Sequence, residues 1–136
     1  MKIVQIFTNN SYRNFNYLIG CEETGEAIAI DPLAYQMCLK EAKKRNWSIV
    51  AIVNTHEHLD HIGGNNNLIL KTDAKLYAHK EAKHSIPNID FGMTAGDVIK
   101  VGKTVELEVL DTPGHTMSHI CLLSQGNKKA LFSGDT

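Results

Sequence analysis

The chain has 136 residues, of which 43% are hydrophobic and 21% charged, enough for one domain with a true core. Its net charge of -1 and scattered lysines lack the basic excess that nucleic acids or anionic membrane surfaces attract, so neither is expected as a partner. Three dispersed cysteines without a CxxC pair, a start that turns polar too soon for a signal peptide and no apolar run of membrane-spanning length point to the cytoplasm.

In chain order, "KIVQIFT" (2–8) and "FNYLIG" (15–20) read as strands, and "EAIAID" (26–31) follows a "TG" turn. "PLAYQMCLKEAKKRN" (32–46) reads as a helix, with Pro32 in its first turn and Met37, Cys38 and Ala42 on one side. "SIVAIVNT" (48–55) is almost continuously apolar, the pattern of a strand buried on both faces. "GNNNLILKT" (64–72) predicts a short helix and "AKLYAH" (74–79) another strand. Beyond residue 97 the pattern is β: 98–101, 104–112, 119–124 and 129–136, with "TVELEVL" alternating as a half-buried strand does. The fold class is α/β, dominated by sheet, as one unit over residues 1–136.

"THEHLDH" (55–61) places His56, His58, Asp60 and His61 in six positions of a chain with only seven histidines. In an extended segment residues i and i+2 share a side, so His56 and His58 converge on one point. A turn at Asp60, eased by Gly63 and Gly64, sends Asp60 and His61 toward a second. Imidazole and carboxylate are zinc ligands, and zinc wants about four of them. One loop cannot saturate two ions, so further donors are expected from "DTPGHTMSH" (111–119), with His115 in a Pro-Gly turn, and "FSGDT" (132–136), with Asp135 after Gly134. Both are loops that follow strands, where a sheet scaffold carries its chemistry.

"THEHLDH", "TPGHT" and "SGDT", in this order and spacing, resemble the metallo-β-lactamase-fold hydrolases over the whole chain. Within them, "YRNFNYLI" (12–19), "AIDP" (29–32), "HIGGN" (61–65) and "GHTMSHIC" (114–121) look like glyoxalase II, the hydroxyacylglutathione hydrolases. The resemblance implies an αββα sandwich, of which this chain is the N-terminal portion. It implies two divalent ions, zinc first, with iron or manganese also suited. His56, His58 and His115 would hold the first, Asp60 and His61 the second, and Asp135 would bridge them. His119 matches a position near the site without a ligand role, and His79 and His84 match no motif.

Two such ions share a water and lower its pKa toward neutrality, and Asp60 is the residue implied to orient the metal-bound hydroxide for attack on a small-molecule thioester. No GxSxG elbow or Cys–His signature competes with this reading. Family members also carry a later histidine for the second metal and a helical glutathione-binding region. This stretch alone is therefore expected to be weak or inactive, and to self-associate through exposed sheet edges. Two alternatives remain: an iron-dependent persulfide dioxygenase, which uses the same motifs with one iron, and a non-enzymatic metal-binding or interaction module.

Overall fold

The computed structural model describes residues 1–136. A first sheet is built from β1 (Lys2–Phe7), β2 (Phe15–Gly20), β3 (Glu26–Ile30), β4 (Ser48–Val53), β5 (Lys75–His79) and β6 (Phe91–Met93), paired in that order. β1, β2 and β3 pair antiparallel, and β3 to β6 run parallel. Parallel neighbours need crossovers. These come from α1 (Tyr35–Lys44) between β3 and β4, and from α2 (Leu59–Ile62) with α3 (Asn65–Thr72) between β4 and β5. The second sheet is an antiparallel run of β7 (Val98–Val101), β8 (Val105–Asp111), β9 (Ile120–Ser124) and β10 (Leu131–Phe132).

The apolar residues divide by strand parity into two cores. Ile19, Ile28, Ile30 and Val53 on one face of the first sheet meet Leu107, Val109, Ile120 and Leu122 of the second. Leu18, Ala29, Ile52 and Leu76 on the opposite face lie under Cys38, Ala42, Leu68 and Ala82. Consecutive residues of β4 therefore serve both cores, which is why its sequence does not alternate. β8 borders only one core, and its burial alternates as expected. The layers run helix, sheet, sheet, three of the four in the expected αββα sandwich. No helix is long and apolar enough to cross a membrane.

Several boundaries differ from the sequence reading. α1 begins at Tyr35, three residues beyond Pro32, because the Asn16 amide donates to the Asp31 carbonyl (2.7 Å) and its oxygen accepts the Ala34 N–H (2.9 Å). That grip holds Pro32 and Leu33 in a turn. Met37 is exposed, while Cys38 and Ala42 are buried. β6 escaped the pattern because three residues are too few to display a period. β10 stops at Phe132, since Gly134 adopts φ +56 and turns the chain out of the sheet. His79 closes β5 and is buried, its Nδ1 accepting the Glu81 N–H at 3.0 Å, and His84 is exposed. All three cysteines are free and buried, and burial pushes the Cys38 thiol up to about 12.

Candidate metal centre

Asp31, the histidine loop, His115 and Asp135 follow β3, β4, β8 and β10, and these strand ends gather at one edge of the two sheets. The loop after β4 is fixed on several sides. Asn54 and Asn65 exchange reciprocal amide hydrogen bonds of 3.2 and 2.6 Å, pinning α3 to the end of β4. The Asn14 amide donates to the Asp60 carbonyl at 2.6 Å. Gly64 passes so close to the turn after β3 that a Cβ there would run into the Pro32 carbonyl oxygen. His58 keeps extended dihedrals and caps α2, whose single turn delivers Asp60 and His61.

The structure brings all six sequence-predicted residues together in two donor groups. His56, His58, His115 and Asp135 form one and Asp60, His61 and Asp135 the other, while a third, fully buried cluster joins Asp31 to His56 and His61 from behind. Asp135 belongs to both through different oxygens: Oδ2 lies 3.3 Å from His115 Nε2 and 3.8 Å from His56 Nε2, and Oδ1 lies 3.2 Å from His61 Nε2. His61 Nε2 is also 3.4 Å from Asp60 Oδ2, and His115 Nε2 is 3.0 Å from His58 Nδ1. Four ligands at zinc's bond lengths in a tetrahedron stand about 3.3–3.4 Å apart. The observed spacings bracket that edge.

A second observation tests the fit. His56 Nε2 and His61 Nε2 are buried without a hydrogen-bonding partner. Orphaned buried nitrogens are costly and rare, whereas lone pairs aimed at a cation are satisfied. The donor set therefore fits divalent ions.

Asp31 had no assigned role in the sequence reading, and it organises both groups. Its Oδ1 accepts the Thr55 N–H at 2.8 Å, and its Oδ2 accepts the Thr55 hydroxyl at 2.7 Å and faces His61 Nδ1 at 3.0 Å. The Thr55 oxygen in turn meets His56 Nδ1 at 2.9 Å. With its hydrogen committed to Asp31, the Thr55 hydroxyl accepts from Nδ1–H. One buried carboxylate thus places a hydrogen on Nδ1 of both rings and turns each Nε2 toward the donors, directly for His61 and through Thr55 for His56. The signal for this was faint: an Asp at a strand end, inside the quoted "AIDP".

His119 lies outside both donor groups but touches the site. It is fully buried, its Nε2 accepts the Asp135 N–H at 3.2 Å, and its Nδ1 meets the Thr112 hydroxyl at 2.9 Å. It therefore holds the backbone of the shared aspartate.

The electrostatics separate the histidines. Burial, reinforced by the neighbouring His61, lowers His56 to about 4. Burial opposes charging of His61 as well, but the hydrogen bond and charge of Asp31, with Asp135 and Asp60, raise it to about 9. Burial also lowers His119. Beside the donors opens a cleft of about 540 Å³, bordered by Asp60, His61 and Asp135 and rimmed by Tyr12, Arg13 and Phe15.

Known proteins resemble this chain in sequence and in fold. A hydroxyacylglutathione hydrolase from Nitrosococcus oceani is 59% identical over the whole chain, and one from Polaromonas sp. is 60% identical. The match covers 52% of each, so the chain spans about half the length of the curated relatives it matches. The solved metallo-beta-lactamase from Staphylococcus aureus superposes with a TM-score of 0.85 at 31% identity, over 98% of this chain and 41% of its own. ETHE1 from Myxococcus xanthus superposes with a TM-score of 0.80 at 30% identity, over 91% of this chain and 54% of its own. The profile of the metallo-beta-lactamase superfamily matches residues 17–136. A profile covering nearly the whole chain, on a fold and donor arrangement that agree with it, establishes that the chain belongs to the metallo-β-lactamase superfamily.

Proposed function

We propose that this chain carries the metal-binding machinery of a thioester hydrolase acting on hydroxyacyl-glutathione. The observation that carries the reading is the pair of metal-sized donor groups sharing Asp135, with two buried imidazole nitrogens left open toward them. The substrate class is supported by the two relatives of that activity, which align with this chain from end to end. Membership of the superfamily implies divalent-metal binding, and zinc is the ion we assign to both groups because imidazole and carboxylate suit it.

His56, His58 and His115 would hold the first ion and Asp60 and His61 the second, with Asp135 placed within reach of both donor groups. When bound, the ions supply Lewis acidity, which lowers the pKa of water and polarises a carbonyl. The chain's own groups do the rest. Asp60 lines the cleft beside His61, its Oδ2 3.4 Å from His61 Nε2, and its other oxygen would orient a water by accepting its hydrogen. Asp31 holds a hydrogen on Nδ1 of each ring, which leaves Nε2 as the nitrogen that would meet an ion; His61, raised to about 9, would give up its Nε2 proton on binding one. The cleft admits a substrate against Asp60 and Asp135, with Tyr12 and Phe15 offering apolar surface. Hydrolysis consumes water and yields a carboxylic acid and a thiol. A thiolate leaves readily, so the site needs no strong general acid. The buried free thiols suit a reducing compartment, and the cytoplasm is where we place the reaction.

The test is release of free thiol from S-lactoylglutathione by zinc-loaded protein. Slow thiol release is expected, abolished by a chelator and by His58→Ala. Thiol release that a chelator or His58→Ala leaves unchanged would refute the metal-dependent thioesterase reading. If iron-loaded protein instead consumed oxygen with glutathione persulfide, the dioxygenase reading would replace it. Tight metal binding with neither reaction would leave the interaction module.

A further inference from the structure

The three histidines of the first donor group come from two loops on different sheets. His56 and His58 stand after β4 of the first sheet, and His115 stands after β8 of the second. Its geometry therefore depends on the lateral position of one loop against the other. Metal–nitrogen bonds of about 2.0–2.1 Å tolerate little slippage, and a slide of about 1 Å would take His115 out of bonding reach.

Glu57 sits between His56 and His58, outside both donor groups. In the extended segment its side chain points away from theirs. Its Oε2 accepts hydrogen bonds from the Thr116 hydroxyl at 3.0 Å and the Ser118 hydroxyl at 2.8 Å. Thr116 and Ser118 flank Met117 in the loop that carries His115, and both are buried. The contact joins residues 59 and 61 positions apart in sequence. Hydrogen bonds to an ionised carboxylate are the stronger kind, and two converging on one oxygen fix direction as well as distance. One backbone bond, Ile120 N–H to the Thr55 carbonyl at 2.8 Å, also joins the loops, but it lies at the base of the site, beyond the donors.

We propose that Glu57 is a positioning residue that sets the spacing of the first metal group by clamping the loop of His56 and His58 to the loop of His115. The inference rests on the metal-binding part of the proposed function, and its readout is the metal itself rather than turnover. Glu57→Ala, Glu57→Gln, Thr116→Val and Ser118→Ala are compared with the parent chain. Zinc affinity is measured by competition with a chromophoric chelator, coordination by the visible spectrum of cobalt(II), and folding by circular dichroism.

Glu57→Ala is expected to weaken the tighter ion by about 10–100-fold and to alter the cobalt bands. Glu57→Gln keeps an acceptor oxygen, so it stays within about threefold of the parent. Thr116→Val with Ser118→Ala reproduces the loss and adds little to Glu57→Ala, as groups in one network do. Unchanged affinity and bands in Glu57→Ala overturn the clamp. So does a Glu57→Gln variant as weak as Glu57→Ala, which would assign the effect to charge. If Glu57→Ala does not fold, the hydroxyl variants decide, and unchanged binding in both overturns the proposal. A parent chain that binds no zinc overturns the functional reading itself, whereas equal binding by parent and variants overturns only the clamp.

Discussion

At the scale of single residues, the site separates charge between two neighbouring histidines. His61, at about 9, lies above the ordinary 6.5 of an unfolded histidine, and His56, at about 4, lies below it. The share of stability from His61 is complete below pH 6.5 and is lost as pH rises through about 9. The share from His56 has the opposite sense: complete above pH 6.5, lost as pH falls through about 4. In chelator-treated protein, the parent should be more stable than His61→Gln near pH 6 by on the order of 2 kcal/mol, seen as a higher melting temperature. That margin should close by pH 9, and thermal melts at stepped pH check it. A margin that widens with pH would contradict the raised pKa. Residue types explain how much of this was legible. The ligand candidates lie in short motifs, because one loop after one strand presents four of them. Asp31 was silent, because its partners Thr55 and His61 are brought to it only by the pairing of β3 with β4.

At the scale of elements, β10 ends where Gly134 turns the chain, and that turn aims Asp135. A Cβ at Gly134 would lie 2.6 Å from the Thr55 hydroxyl and 2.7 Å from His119 Nε2, in a backbone conformation already unfavourable for other residues. Gly134→Ala should lower stability by about 1–3 kcal/mol, read by urea unfolding, and should weaken both ions because Asp135 serves both groups. An alanine variant with parental affinity for both would show that the turn does not aim the carboxylate. Strand periodicity made most elements legible. The continuous run of β4 read as buried on both faces and the alternation of β8 as buried on one, and both hold. What periodicity could not resolve were β6, too short to have a period, and the start of α1, set by the distant Asn16 side chain.

At the scale of the whole molecule, the two donor groups are unequal. Four side chains face the first and three the second, with Asp135 common to both. Stepwise titration of the metal-free chain with zinc should show a first ion bound at least about tenfold more tightly than a second, since each missing ligand removes bond energy. Two equal, tight steps in calorimetry would sink that ordering. The outer edge of β10 is unpaired, and Leu131 and Phe15 stand exposed beside it. The order in which donors occur along the chain has a further consequence for synthesis. His56 through His61 leave the ribosome well before His115 and Asp135, and the last two join them only after the second sheet has closed on the first. A donor set drawn from both sheets is therefore complete only once the two have packed together.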